Sequence, residues 1–434
     1  MASTTSSDIA DLRSGSWQPA AGAATVALAG PLLIVALCWL RSPQMMVQGR
    51  FWAEDSMFIG HMLASPSLPE KVFYVYKGHL EIISSLTHAM ASYLSPKMAP
   101  LFTGSVDLLI ECTLGYILVS FRRDFSIPLL PALAICALLV VSPSASEHYL
   151  NILNSQWLTS AILFLLINLP ERRLEGHAIA IISASLLLGL SGIPSSALFP
   201  TALLYAVRWR SRPHGLIAAT LLVCCLIQGA LIATHALGSR FLPVNPSVYV
   251  VAPLLQVVVK HLMGVDAENN LAAWYRNGPM MVGALSSFIV LPIGVLAWMA
   301  RRIYRDRLSD TGLLLVSFLG VTLFNEVGAV GDRNNMVGVY MMRYFFLPSF
   351  IVAMIVSRST GTAYLRAMSL GHCALYVALT VSTIDFFENG YNDSLVTFQH
   401  SWRRDIDGCR THPSPCRIDI SPGGYEIEFP ARAP

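Results

Sequence analysis

Charge is what this sequence has least of. Only 13% of its 434 residues are Asp, Glu, Lys or Arg, while 54% are hydrophobic; soluble domains carry about 25% charged residues. So little charge cannot clothe the several separate cores that such a length would otherwise imply. A string of soluble domains is therefore excluded, and lipid is left as the surroundings of the apolar surface. The charge that exists is nearly balanced, 29 Lys+Arg against 26 Asp+Glu, so nothing argues for nucleic acid or another polyanion as a partner. The N-terminus lacks the basic stretch of a signal peptide, and the first apolar run is expected to stay as an anchor. No internal repeat stands out. Six of the eight cysteines lie in apolar runs, where a free Cys behaves as a small hydrophobe. Cys409 and Cys416 stand in a polar segment; they are too few for a four-ligand zinc site, and a small disulfide loop in an oxidising compartment is expected.

What the chain has instead is a series of apolar runs, at about 22–40, 98–121, 127–143, 155–169, 178–193, 196–209, 215–236, 280–300, 312–327, 343–357 and 365–385. A helix needs roughly 20 residues to cross a bilayer. The expected fold class is an all-α polytopic membrane protein with about 11 transmembrane helices, the shorter ones adjusting by tilt and flanking residues. Arg122 and Arg123, Arg172 and Arg173, Arg208, Arg210 and Arg212, Arg301, Arg302, Arg305 and Arg307, and Arg358 with Arg366 all fall in alternate connections. The positive-inside rule makes that side the cytoplasm. Residues 1–21 are then a cytoplasmic tail, 22–385 the membrane module and 386–434 an extracytoplasmic tail.

The outward connections 41–97 and 237–279 are long, punctuated by Pro and rich in His, Trp, Tyr and acids. Loops that only join helices in bundles run about 2–8 residues, so the chemistry is expected here. Within the first, residues 79–94 set Leu80, Ile83, Leu86, Met90 and Leu94 on one stripe, which predicts an amphipathic helix on the outer interface, ended by Pro96. In the tail, RIDISPGGYEIEF (417–429) alternates polar and apolar residues on both sides of a Pro-Gly-Gly turn, a hairpin signal. Such a strand pair would cap the outer face.

The richest stretch runs from Phe51 to Phe58. Glu54 and Asp55 stand there in aromatic surroundings just after the first span, and both must be solvated, paired or ligated. Adjacent side chains on a helix point apart, so at most one of them faces a substrate directly. A capped helix starting near Asp55 explains the same spacing. This acidic pair, a long first outer loop with an interfacial helix, the Tyr76-Lys77-Gly78-His79 element, short basic cytoplasmic returns and an Arg-Tyr-Phe-Phe run at 343–346 together resemble the GT-C glycosyltransferases, over about residues 22–385. That resemblance implies an enzyme of the bacterial inner membrane that takes a sugar from a polyprenyl-phosphate donor and attaches it to an extracytoplasmic acceptor. It implies Asp55, with Glu54 as the near alternative, as catalytic base or as ligand of a divalent metal such as Mg or Mn, with His79 a further possible ligand.

The chemistry of transfer fits those residue types. A base must take the acceptor's proton while a fixed positive group stabilises the departing phosphate. Arg343, beside Tyr344, offers a planar fork of donors that cannot lose its charge, although an arginine at a span end also snorkels to headgroups. Lys77 and His79 meet the acidic pair if the loop folds back, giving a contact to the donor phosphate and an imidazole for a metal or the substrate; otherwise they are an interfacial lysine and an ordinary surface histidine. Glu147, His148, Asn151, Asn154, Gln156 and Trp157 form a polar-aromatic patch suited to sugar hydroxyls. Arg240, Asn269, Asn270, Trp274, Tyr275 and Arg276 are candidates for acceptor binding, and Asp332 to Asn335 read as a solvated turn. Asp107 and Glu111, four apart on one helical face, and Glu326 are intramembrane carboxylates, which are costly and usually functional. They speak for a different class, a transporter or flippase with a carboxylate relay. Against that class, the polar sequence is richest in the outer loops rather than at the midplane, where transport sites lie. A scaffold without catalysis would leave Glu54 and Asp55 unused.

Overall fold

The computed structural model describes residues 25–49, 51–52, 54–145, 149–235, 248–277, 310–328, 343–358, 365–388, 402–409, 416–420 and 425–429. These residues are mostly helical. The principal elements are α1 (Ala29–Arg41), α2 (Asp55–Ala64), β1 (Val75–Tyr76), β2 (His79–Leu80), α3 (Ile82–Ala91), α4 (Ala99–Ser120), α5 (Leu129–Val141), α6 (Ser155–Ile167), α7 (Ala178–Gly189), α8 (Phe199–Trp209), α9 (Arg212–His235), α10 (Asp310–Gly328), α11 (Phe346–Ser357) and α12 (Leu365–Glu388), followed by a short helix Trp402–Cys409 and the strands β3 (Cys416–Ile420) and β4 (Tyr425–Phe429). Two of the helices, α4 and α9, are long and apolar enough to cross a membrane. The apolar run at 280–300 lies outside the described residues.

Helix surfaces are arranged opposite to the soluble pattern. On α4 the carboxylates Asp107 and Glu111 are buried while Leu109 is 65% exposed. On α3, Ser84, Ser85, Thr87 and His88 are buried whereas Leu86, Met90 and, just beyond, Leu94 are exposed. An apolar surrounding favours this arrangement, because every polar group then gains by turning inward. Between α1 and α4 the contact is glycine on glycine: a Cβ on Gly30 would lie 2.7 Å from the carbonyl oxygen of Gly115. Small residues at such a contact let two backbones approach without a side chain between them.

The connection 41–97 is folded more tightly than its sequence led one to expect. The helix expected over 79–94 starts only at Ile82 and ends at Ala91. Its first residues instead form a two-residue hairpin, with Tyr76 paired to His79 and Val75 to Leu80. The turn places Lys77 at φ 46° and Gly78 at φ 84°; positive φ at both central residues matches the right-handed twist of the strands it joins. Gln228, buried inside α9, holds this hairpin by its edge: its Nε2 donates to the Leu80 carbonyl (3.0 Å) and its Oε1 accepts the Leu80 N–H (2.9 Å). Residues 248–277 of the second long connection are helical on both sides of a break at Gly264, with a π-helical turn at Leu254–Val259.

The tail sits on the first loop. Strands β3 and β4 pair antiparallel from Cys416↔Phe429 to Ile420↔Tyr425. Ile418, Ile420 and Ile427 pack with Trp402 and Ile406 against Phe51, Ile59 and Ala99. Trp402 donates its indole N–H to the Pro96 carbonyl at 2.8 Å and meets the Phe51 ring edge-on at 5.0 Å. Cys409 is disulfide-bonded; Cys38, Cys112, Cys136, Cys224, Cys225 and Cys373 are free.

Glycine contacts give a direct check on this packing. Gly30→Ala pushes α1 from α4 and should cost about 1–3 kcal/mol as an overpacked contact. Gly60, on α2, has open space where a Cβ would go, so Gly60→Ala should leave stability unchanged or raise it by up to about 1 kcal/mol. Thermal unfolding of the two variants in detergent measures the difference; equal melting temperatures would refute the close α1–α4 contact.

Candidate functional site

Asp55 opens α2 and turns inward, 2% exposed. Its Oδ2 accepts the Trp52 N–H at 2.7 Å, and its Oδ1 lies 3.0 Å from Nε2 of His88. His88 is fully buried, and its Nδ1 is 2.8 Å from the Ser84 carbonyl. A carbonyl can only accept, so Nδ1 carries a hydrogen. Nε2 and a carboxylate oxygen can then bond only if one further proton lies between them. The Asp55–His88 pair is thus closed: each of its nitrogen and oxygen atoms has a partner.

A second carboxylate–imidazole pair lies on the neighbouring strand and helix start. Glu81 Oε1 is 2.9 Å from His79 Nε2 and accepts the Gln156 amide at 3.2 Å. Glu81 is 1% exposed and His79 6%. Glu81 Oε2 and His79 Nδ1 are buried without a hydrogen-bond partner, so this pair is open on both sides. Gln156 reaches it because of Gly192, whose φ is 152° and on which a Cβ would stand 2.5 Å from the Gln156 Cβ. Any side chain at 192 would displace the amide.

The other expected residues fall around these two pairs. The loop does fold back: Lys77 reaches Glu54, Nζ to Oε1 at 3.4 Å, with Glu54 12% and Lys77 49% exposed at the side chain. His79 pairs with Glu81 rather than with Glu54 or Asp55, and it is buried rather than a surface histidine. Asp107 accepts the Asn151 N–H at 2.9 Å and lies within electrostatic reach of Asp55. One helical turn along α4, Glu111 is approached by the Cys38 thiol at 3.6 Å. Trp157, next to Gln156 on the first turn of α6, meets the Tyr344 ring at 5.2 Å, and the Arg343 guanidinium lies 5.4 Å from that same ring. Asn154 is buried at the start of α6. Trp274 stands 46% exposed on the helix Val265–Asn277 and is not gathered into the site. His148, Glu147, Arg240 and Asp332 to Asn335 lie outside the described residues, as do the side chains of Tyr275, Arg276 and Glu326.

Beside this cluster, helices α5, α11 and α12 and the segment 257–262 enclose an apolar cleft of about 200 Å³ that reaches Ser142, Ser144 and Phe346. Among the described residues no three His, Cys, Asp or Glu side chains are grouped to hold a metal. Of the expected ligands, Asp55 has an N–H on each oxygen, His79 has Nε2 on Glu81, and Glu54 faces Lys77.

Sequence reading missed Glu81, His88 and Gln228. Glu81, Ser84, Ser85 and His88 recur at helical spacing opposite the apolar stripe of 79–94, a polar face that was legible. Gln228 is a lone amide within the long apolar run of α9. No known family matches the chain, and comparison with characterised proteins and with solved structures finds no similar one.

The proton count of the closed pair makes a prediction. In His88→Leu, Asp55 is left buried without its partner, which should cost about 3–5 kcal/mol. In Asp55→Asn the new amide can donate to a neutral Nε2, so the bond survives at a cost below about 1.5 kcal/mol. Unfolding in detergent should rank the two in that order, and the reverse order would refute the shared proton.

Proposed function

We propose that this protein is a polytopic membrane glycosyltransferase that moves a sugar from a polyprenyl-phosphate donor to an acceptor on the extracytoplasmic face. The observation that carries the reading is the link from the first-loop carboxylate Glu81, through Gln156 and the adjacent Trp157, to Tyr344 and Arg343. The transfer takes the acceptor's hydroxyl proton onto a first-loop carboxylate, Asp55 being the one the resemblance implies. The acceptor oxygen bonds to the anomeric carbon as the bond from that carbon to the phosphate oxygen breaks. The electron pair leaves with the phosphate, whose growing charge Arg343 stabilises. The apolar cleft reaching Phe346, three residues from Arg343, suits the lipid chain of such a donor. Eleven spans, with the N-terminus in the cytoplasm and the tail outside, put this cluster at the outer interface.

One observation favours the transporter reading, the burial of Asp107 and Glu111 on one face of α4 close to Asp55. Incubating the purified protein with a panel of radiolabelled polyprenyl-phosphate sugars separates the two. Turnover or hydrolysis of a donor supports the enzyme, and none with any donor, alongside transport by proteoliposomes, supports the transporter.

Arg343→Lys keeps the charge and loses the fork, so turnover should fall at least about tenfold. Arg343→Ala should weaken donor binding as well. Parent-like kinetics for the lysine variant at limiting and saturating donor would remove Arg343 from the site. A membrane-impermeant thiol reagent on intact cells should label a cysteine introduced in the 390s but not one beside Arg210; the opposite result would invert the topology.

A further inference from the structure

The two carboxylate–imidazole pairs differ in one respect that decides which can act as a base. We infer that Glu81, rather than Asp55, takes the proton from the acceptor hydroxyl, with His79 holding it in place; this rests on the glycosyl-transfer reading above.

Hydrogen-bond accounting gives the reason. In the closed pair a proton already lies between Asp55 and His88, because Nδ1 of His88 donates to the Ser84 carbonyl and Nε2 faces Oδ1 at 3.0 Å. Adding a substrate proton to Asp55 would put a second one into a fully buried pair, where both Asp55 oxygens already accept an N–H. The open pair has room for it. Glu81 Oε1 accepts the Gln156 amide and lies 2.9 Å from Nε2 of His79; as a carboxylate oxygen it accepts both bonds, Nε2 donating the second. One hydrogen on Nε2 satisfies that bond, and His79 Nδ1, buried without a partner, is then a lone-pair acceptor in a neutral ring. A proton on Nδ1 would be a buried donor with nothing to bond, which costs more than leaving an acceptor bare.

Glu81 therefore stands as a carboxylate with one oxygen doubly anchored and the other, Oε2, unpartnered and 99% of the residue's surface removed from solvent. An unpaired buried acceptor calls for a donor, and an approaching hydroxyl is one. Oε2 and Nδ1 are both bare acceptors, and a polyhydroxylated ligand offers several O–H groups. Gln156 is the partly exposed member of the cluster and adjoins Trp157 and through it Tyr344 and Arg343. In the reaction the acceptor O–H bond breaks and its proton goes to Oε2. The acceptor oxygen bonds to the anomeric carbon as the bond from that carbon to the phosphate oxygen breaks, and the electron pair of that C–O bond departs on the phosphate. Asp55 keeps a positioning role: with His88 it pins Trp52 and the start of α2 against α3.

The test uses the purified full-length protein and whichever labelled polyprenyl-phosphate sugar the parent turns over. Glu81→Gln should lose transfer by at least about 100-fold while donor affinity stays within about threefold, the split expected when only a transition-state group is removed. Its residual rate should no longer fall on the acid side of the pH profile, whereas Asp55→Asn should keep that acid limb. Added formate should restore part of the activity of Glu81→Ala and none of Asp55→Ala, since a small carboxylate replaces a base but not a packing contact. Loss of the acid limb in Asp55→Asn with its retention in Glu81→Gln would overturn the assignment, as would formate rescue of Asp55→Ala alone. A parent that turns over no donor would overturn the glycosyl-transfer reading itself and this assignment with it.

Discussion

The rest of the site depends on a single proton held between Asp55 and His88, in a place where neither residue touches solvent. Buried charges are retained only when paired and hydrogen-bonded, and here the pairing runs across the chain: Asp55 follows the first apolar helix, and His88 lies on α3. Holding that bond fixes how α2 and α3 lie against one another. Phe58 and Met62 of α2 then close over Tyr76, Ala89 and Leu153, which brings the hairpin and the turn before α6 into the same cluster. Ser84 extends the tie by donating to the Ile152 carbonyl at 2.7 Å. The loop's helices α2 and α3 are only ten residues each, and these side-chain bonds tie them to one another and to the turn before α6.

Apolar runs made the helices legible, because a stretch without charge has few alternatives to a helix when the surroundings are apolar. The strand pair of the tail was legible too, from alternation around Pro-Gly-Gly. What the sequence did not disclose was the side on which polar residues act. The stripe of Leu86, Met90 and Leu94 marks a helix, but periodicity alone does not say whether that stripe faces protein or lipid. In the structure it faces out, so the informative residues of α3 are the ones opposite it. Reading outward-facing hydrophobics as the core would have hidden His88 entirely. The hairpin at Lys77-Gly78 was hidden for another reason, because a lysine at positive φ is uncommon and the turn is held from outside, by Gln228.

In the acidic pair, Glu54 and Asp55 show how adjacency divides work. Successive residues at a helix start point apart, and here one goes inward to His88 while the other goes outward to Lys77. The exposed pair is worth little in stability, since solvent screens it, but it fixes the hairpin tip over the start of α2. The buried pair carries the energetic consequence. The expectation that at most one member faces the interior follows from helix geometry alone; which one does so depends on a histidine 33 positions away, beyond the reach of local pattern.

Two carboxylate–histidine pairs so close together would be redundant if they did the same thing. Their surroundings separate them. His88 has a carbonyl on its far nitrogen and so faces its carboxylate as a donor from both ends, whereas His79 has nothing on its far nitrogen and needs only one hydrogen. The same two residue types therefore give one pair that is saturated and rigid and another with a vacant acceptor. Saturation favours stability, because every buried polar atom is satisfied; vacancy favours binding, because an incoming donor gains the bond that the folded chain leaves unmade. The saturated pair holds the loop in place, and the open pair keeps its unmet acceptor at the start of α3 because Gln156 anchors the other Glu81 oxygen and Gln228 the Leu80 backbone, from two other helices.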